Sequence, residues 1–403
     1  MGVPTFPPEL WEAVIYEVED VESLKACSLV SLIFRPPSQR ILLSSFTVTT
    51  DNCDAACKLL AENSRVEQYI SRLTIEDLRD IMVSEDYRES LSQFLAKLQN
   101  VRICTLVGIW YQHVYSSFQE KSEIPKLILG FLSHQTLSEL HLSHLYIGPA
   151  ILGGFFEVVP SITLHMVDVK EEEMLTSAFP LSASRPATVR SLAIVSSGSV
   201  GEFLASLQDI SVSFPALQHL SIDSTQIESI AWARPLVVAL SHTIKHLQLD
   251  CPKYVGWQLP PTFSRLPVLR KLQFSFADSR LAPQAKIEYI SATIATMSSI
   301  APLRMTPALT DLVIRQWVGD NDVDMTLYLP LMATLEATFA NRDAPPRIHW
   351  VFAHYEEESV DLTQSAHGVR HGMPTTRDAG RLAISVRTPS RIFGRADRLL
   401  STL

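Results

Sequence analysis

The chain has 403 residues, 46% hydrophobic and 19% charged, an ordinary globular composition that excludes wholesale disorder. With only 14 glycines, architectures built on glycine-rich phosphate loops are disfavoured, and a net charge of −9 removes the global basic field that nucleic-acid holding needs. Five cysteines (Cys27, Cys53, Cys57, Cys104, Cys251), an odd number in a long chain, argue against a disulfide scaffold and for a reducing compartment, cytoplasmic or nuclear.

The first residues carry no basic region followed by an apolar stretch, and no run of about 18 uninterrupted apolar residues occurs. Neither a secretory signal nor a transmembrane span is therefore expected. Residues 6–46 predict three short helices. Pro7-Pro8-Glu9 suits a helix start, because proline fits the first turn and glutamate the positive end of the dipole. Leu10, Trp11, Val14, Ile15 and Val18 then fall on one helical stripe. A second helix is expected over Glu22–Ser31, with Leu24, Cys27 and Val30 on one side, and a third over Ser38–Phe46 after Pro36-Pro37. So short a module buries too little surface to stand alone, and needs the rest of the chain or a partner.

Phe6-Pro7-Pro8-Glu9-Leu10-x3-Val14, followed by Val18, Leu24 and Cys27-Ser28-Leu29-Val30, resembles an F-box, whose pattern is Leu-Pro-x-Glu-Leu-x3-Ile and then an apolar segment ending in Val-Cys-x-x-Trp. Phe6 stands in place of the usual leucine, Ser31 of the cysteine and Phe34 of the tryptophan. The stretch Arg40-Ile41-Leu42-Leu43-Ser44-Ser45-Phe46 is similar to the closing segment of F-box proteins abundant in mushroom-forming fungi. The resemblance implies docking to a Skp1-type adaptor of a cullin complex through apolar burial of Phe6, Pro7, Leu10, Val14, Leu24, Val30 and Phe34.

From residue 49 a trace of Leu-x-x-Leu-x-Leu type recurs nine times, starting at Ile70, Leu98, Leu137, Val159, Val189, Leu217, Ile244, Leu269 and Leu309. The steps are 28, 39, 22, 30, 28, 27, 25 and 40, most of them near the leucine-rich repeat period. Strand neighbours alternate faces, so the residues just before, just after and three after each middle position should point outward. Of these 27 positions only Ala193, Val313, Cys104 and Val195 are apolar. Helices are expected between the strands, over Ser90–Lys97, Gly201–Leu207 and Pro235–Leu240. Pro215, Pro267 and Pro307, just before three of the strands, stop the preceding helix.

The pattern resembles an irregular leucine-rich repeat solenoid with a parallel sheet on one face, without the family's ladder asparagine, whose place is taken by residues such as Leu145, Val167 and Ser197. An ordinary α/β domain is the alternative. The expected organisation is α/β: a three-helix F-box module over 1–48, the solenoid over 49–320, a capping segment over 321–355 with a helix at Leu327–Phe339 and a strand at Arg347–Phe352, and a polar tail over 356–403 that need not be ordered. From Gly368 onward that tail has seven arginines against two aspartates, a local +5.

Chemistry-bearing motifs are sparse. Neither a dinucleotide fingerprint nor a Walker lysine is present, and Gly198-Ser199-Val200-Gly201 lacks nucleophile-elbow spacing. Cys53-x3-Cys57 lacks further zinc ligands nearby, as do the pairs His141-x2-His144 and His367-x3-His371. No catalytic residue, metal or cofactor is expected, and nucleic acid and membrane are not expected partners. The reading is a non-enzymatic substrate-recognition subunit of an SCF-type (cullin–RING) ubiquitin ligase, holding an unknown target protein through outward strand positions such as His219, His246, Lys271 and Arg315. The alternatives are an interaction scaffold without ubiquitin transfer and an α/β enzyme whose motif is unrecognised.

Overall fold

The computed structural model describes residues 7–18, 20–76, 85–108, 116–118, 123–169, 187–207, 210–223, 232–250, 265–277, 304–318, 325–340, 342–354 and 362–387, with single positions at 284, 287, 290, 291 and 294. The chain divides into two units, Met1–Val189 and Arg190–Leu403. Each is α/β, and the strand pairs within each run parallel.

The first unit opens with α1 (Pro8–Tyr16), α2 (Val21–Val30) and α3 (Arg35–Leu42). Local chemistry sets their ends. Pro8 occupies the first turn of α1, the Asp20 carboxylate caps α2 by accepting from the Ser23 N–H at 2.7 Å, and Pro36 and Pro37 open α3. The chain then alternates: β1 (Ser45–Val48), α4 (Cys53–Glu62), β2 (Arg72–Ile75), α5 (Glu85–Lys97), β3 (Ile103–Val107), β4 (Ser116–Phe118), α6 (Glu123–Ser133), β5 (Glu139–Ile147), α7 (Pro149–Val158) and β6 (Ser161–Val169). Its sheet runs β1-β2-β3-β5-β6, with β4 also beside β5.

The second unit has β7 (Ser191–Val195), α8 (Gly198–Ser206), α9 (Ile210–Ser213), β8 (His219–Asp223), α10 (Ala233–Ala239), β9 (His246–Asp250), β10 (Lys271–Ala277), β11 (Asp311–Val318), α11 (Leu329–Ala340), β12 (Arg347–His354), α12 (Thr363–Gly372), α13 (Pro374–Asp378) and β13 (Leu382–Arg387). Here spatial order is chain order, β7 to β13.

Register explains the apolar repeat. Leu73, Cys104, Leu140 and Ile162 are Cα partners in successive strands, as are Ile75, Leu106, Leu142 and Leu164. In the second unit the rows are Leu192, Leu220, Leu247, Leu272, Leu312, Ile348 and, two residues on, Ile194, Ile222, Leu249, Phe274, Ile314, Trp350. All of these are buried. Each full aliphatic burial contributes about 1.5–3 kcal/mol, so a two-residue inward pattern repeated strand after strand suffices to fix register.

Three expectations change. The strand expected around Leu98-Val101-Ile103 lies three residues later: Cys104 pairs with Leu73, and Cys104 and Leu106 face inward, fully buried. Alternation puts Cys104 on the outward face only when a thiol is not counted among the large apolar residues, yet cysteine buries like a small hydrophobe. The helix expected through Phe46 ends at Leu42, and Ser45–Val48 is β1, paired to β2. The tail expected from residue 356 carries α12, α13 and β13, and β13 extends the sheet beside β12. Its anchors are Leu362, Val369 and Met373, all buried, and a close approach at two glycines. A Cβ at Gly368 would lie 2.6 Å from the Met325 side chain, and one at Gly372 2.2 Å from the Met332 sulfur.

One backbone device recurs. His144, Met166 and Ser196 each have φ near +50°, four residues after the middle apolar position of three successive repeats. This left-handed residue turns the chain, and the next one (Leu145, Val167, Ser197) goes back into the interior. Those are the positions where a ladder asparagine is absent, and in the first two an aliphatic side chain fills the space.

Candidate functional site

Two surfaces stand out, one in each unit. In the first unit, the three N-terminal helices surround a small interior. Ile15 and Leu24 are buried, Trp11 and Phe34 meet edge to face with ring centres 5.2 Å apart, and the Arg40 guanidinium pairs with Glu12 and donates to the Tyr16 hydroxyl at 3.3 Å. Outside it lies an apolar face. Of the thirteen exposed large hydrophobic residues among the described positions, eight fall between Leu10 and Ile33. Leu10 and Val14, one turn apart on α1, are 48% and 57% exposed. Leu29 and Val30 at the end of α2 are 80% and 77% exposed, and Leu32 and Ile33 follow in the turn. Solvated turns rarely collect four aliphatic side chains, and exposed apolar surface of this extent suits a contact surface.

The residues expected to meet an adaptor divide accordingly. Pro7, Leu10, Val14 and Val30 are exposed, and Phe34 is half-buried against Trp11. Leu24 is 3% exposed, which corrects its expected role: it holds the helices together and has no surface to offer a partner. Phe6 lies outside the described residues.

In the second unit the sheet face opposite the leucine rows is polar. Its first row runs His219, His246, Lys271, Asp311, Arg347 across β8 to β12, one residue from each strand. His219 and His246 meet edge to face at 5.4 Å. Burial, with help from Lys271 and His219, pushes the His246 imidazole down to about 4, so it is neutral at pH 7. Four residues along, about 13 Å away at strand rise, the third row runs Asp223, Asp250, Ser275, Arg315. The structure thus brings His219, His246 and Lys271 together and sets Arg315 apart from them, in a different polar cluster.

Sequence reasoning misses that cluster as a site. Burial, reinforced by the Asp250 charge and opposed by Arg315, raises the Asp223 carboxyl to about 7. Burial raises Asp250 as well, against hydrogen bonding and the Arg315 charge. The Gln248 amide donates to Asp250 Oδ2 at 2.6 Å. Both aspartates sit where alternation predicts outward residues; the signal in the sequence is only that two acids end consecutive strands. Other titratable groups are structural in character. Burial pushes the Cys53 and Cys104 thiols up to about 12, the hydroxyl of Ser143 lies 2.7 Å from His144 Nδ1 and 3.2 Å from His165 Nδ1, and burial lowers both histidines. His141 lies 3.3 Å from the Glu139 carboxylate. Among the described residues no group of three or more His, Cys, Asp or Glu is placed to hold a metal ion, and no helix is long and apolar enough to cross a membrane. In comparisons with known proteins, no family model matches the chain and no curated protein matches it at a significant level.

Proposed function

We propose that the protein is the substrate-recognition subunit of an SCF-type (cullin–RING) ubiquitin ligase, with an F-box formed by α1–α3 and leucine-rich repeats of solenoid type formed by the strand–helix units that follow. The observation that carries this reading is the apolar face of the N-terminal helices. Leu10, Val14, Leu29, Val30, Leu32 and Ile33 expose aliphatic surface in the segment whose order and spacing resemble an F-box. A module whose buried residues among those described are few, Ile15, Leu24, Pro37 and Ser38, gains most from covering that face with a partner.

A Skp1-type adaptor takes up this face and links the chain to a cullin, while outward strand positions hold the target. The protein then acts without chemistry of its own, raising the local concentration of a target lysine beside the loaded enzyme. The recurring left-handed residue and the in-register leucine rows favour repeats over a single-core α/β enzyme.

A pull-down of the intact protein with Skp1 tests the reading. Binding is expected, together with at least a tenfold loss on Leu10→Asp or Val30→Asp, since each replaces a buried aliphatic contact by a desolvated charge. Both side chains are exposed in the free chain, so the variants keep their fold. Absence of binding by the intact protein defeats the ligase reading and leaves a scaffold.

A further inference from the structure

At the start of β10–β13 the polar face of the second unit sinks into a depression of about 350 Å³. Lys271, Arg347 and Arg381 line it, with Asp311 the single carboxylate. Register makes this a row. Lys271, Asp311 and Arg347 are successive Cα partners, and Arg381 directly precedes Leu382, which pairs with Ile348. Among the described residues none of the three cations has an ion-pair partner, whereas Asp311 accepts from the Thr310 hydroxyl at 2.7 Å. Arg347 and Arg381 thus stand side by side on neighbouring strands with no anion between them. Like charges opposite one another destabilise a sheet. The three cations around one hollow repel one another, a local cost that an anionic ligand would offset.

We propose that this depression binds an acidic, extended segment of a partner protein, with carboxylates four residues apart. The spacing follows from the row. Lys271 lies one strand to one side of Asp311, and Arg347 with Arg381 to the other. Strands are about 4.8 Å apart, so Lys271 and the centre of the Arg347–Arg381 pair are about 12 Å apart, close to four residues of extended chain, a separation that puts both side chains on one face. Asp311 between them repels a third carboxylate and favours a hydrogen-bond donor there. Nucleic acid fits less well: no Phe, Tyr or Trp lines the hollow to stack a base, and a continuous phosphate backbone places charge opposite Asp311 too. The inference names the chemistry of the segment that the receptor reading assigns to the repeats. It rests on that reading only for calling the partner a target, and the Skp1 pull-down tests that part separately.

The test is fluorescence anisotropy on the full chain with three labelled twelve-residue peptides of equal composition apart from the acidic pair. One has two glutamates four residues apart, one has them adjacent, and one carries glutamines in their place. The first is expected to bind at least fivefold tighter than the second and tenfold tighter than the third, with affinity falling as salt rises. Arg347→Gln with Arg381→Gln is expected to lose at least tenfold for the first peptide, with the circular dichroism of the parent retained. The proposal is overturned if the intact protein binds the glutamate and glutamine peptides equally, if the double variant binds unchanged, or if a single-stranded oligonucleotide of the same length binds tighter than every peptide.

Discussion

The Asp223–Asp250 pair makes the second unit less stable as pH rises, the reverse of ordinary acid denaturation. Asp223 ends β8 and Asp250 ends β9, in register, both drawn out of water. In the unfolded chain Asp223 ionises near 3.8, and in the folded protein near 7. Between those values the folded state holds a proton that the unfolded state has released, so stability falls with pH; above about 7 both forms are ionised and the dependence ends. Moving a carboxyl from 3.8 to about 7 corresponds to about 4 kcal/mol, of which about 2 kcal/mol accrues between pH 5 and pH 7.

Asp223→Asn keeps the shape of the neutral acid and removes the ionisation. Its stability relative to the parent is expected to improve by about 3 kcal/mol on going from pH 5 to pH 8. Urea unfolding followed by tryptophan fluorescence reads this, because Trp232, Trp317 and Trp350 lie in the second unit. The expected gain in midpoint at pH 8 over pH 5 is about 1 M. Equal parent–variant differences at the two pH values would refute the reasoning, since titrating groups away from the Asp223–Asp250 pair cancel in the comparison.

Leu24→Ala is expected to loosen α1–α3 by about 2–5 kcal/mol, seen as faster proteolysis within residues 8–42, whereas Val30→Asp leaves proteolysis unchanged. At pH 8 a thiol reagent mapped by mass spectrometry should modify Cys27 well before Cys53 and Cys104, whose thiols stay protonated and covered until the unit unfolds; early labelling of Cys104 would contradict its place in the core. Glu336 on α11 accepts the Thr375 and Thr376 N–H groups at 3.2 and 2.7 Å. Burial alone would raise its carboxyl, but those bonds outweigh it and lower it. Its contribution is therefore present above the unfolded value and lost as pH falls through the folded one. Glu336→Gln should cost about 1 kcal/mol near neutral pH and speed cleavage in residues 363–387, with no effect in acid.

The strands are legible because their signal is redundant: inward leucines repeat at a fixed offset and outward polar residues confirm the alternation. Where one inward residue is unusual the reading slips, as at Cys104. Where the apolar signal is thin the strand is missed, as at Ser45–Val48, too short to show alternation, and at β13, whose Leu382 and Ile384 are only half-buried at the sheet's end. The apolar face of α1–α3, which we propose meets an adaptor, is legible as a set of apolar residues, but not as an inside and an outside: helical spacing puts Leu24 and Val30 in one stripe, and only packing shows that the first is covered and the second is not.

The polar face differs in kind. Alternation marks His219, His246, Lys271 and Arg315 as outward, yet an outward residue acquires meaning only from its neighbours in the next strand, and those come from segments tens of residues away. Lys271 has Arg347 two strands along because β10, β11 and β12 pair in one register; Arg381 joins them because a segment that reads as a polar tail folds back and adds a strand. The same arginines that make the end of the chain look like a solvated tail are what make the hollow at the start of β10–β13 cationic. A recognition surface built row by row across strands distributes its charges over the whole repeat array, so no local motif can announce it. On the proposed reading, replacing one residue in one strand changes what the row binds while the leucines beneath it stay where they are.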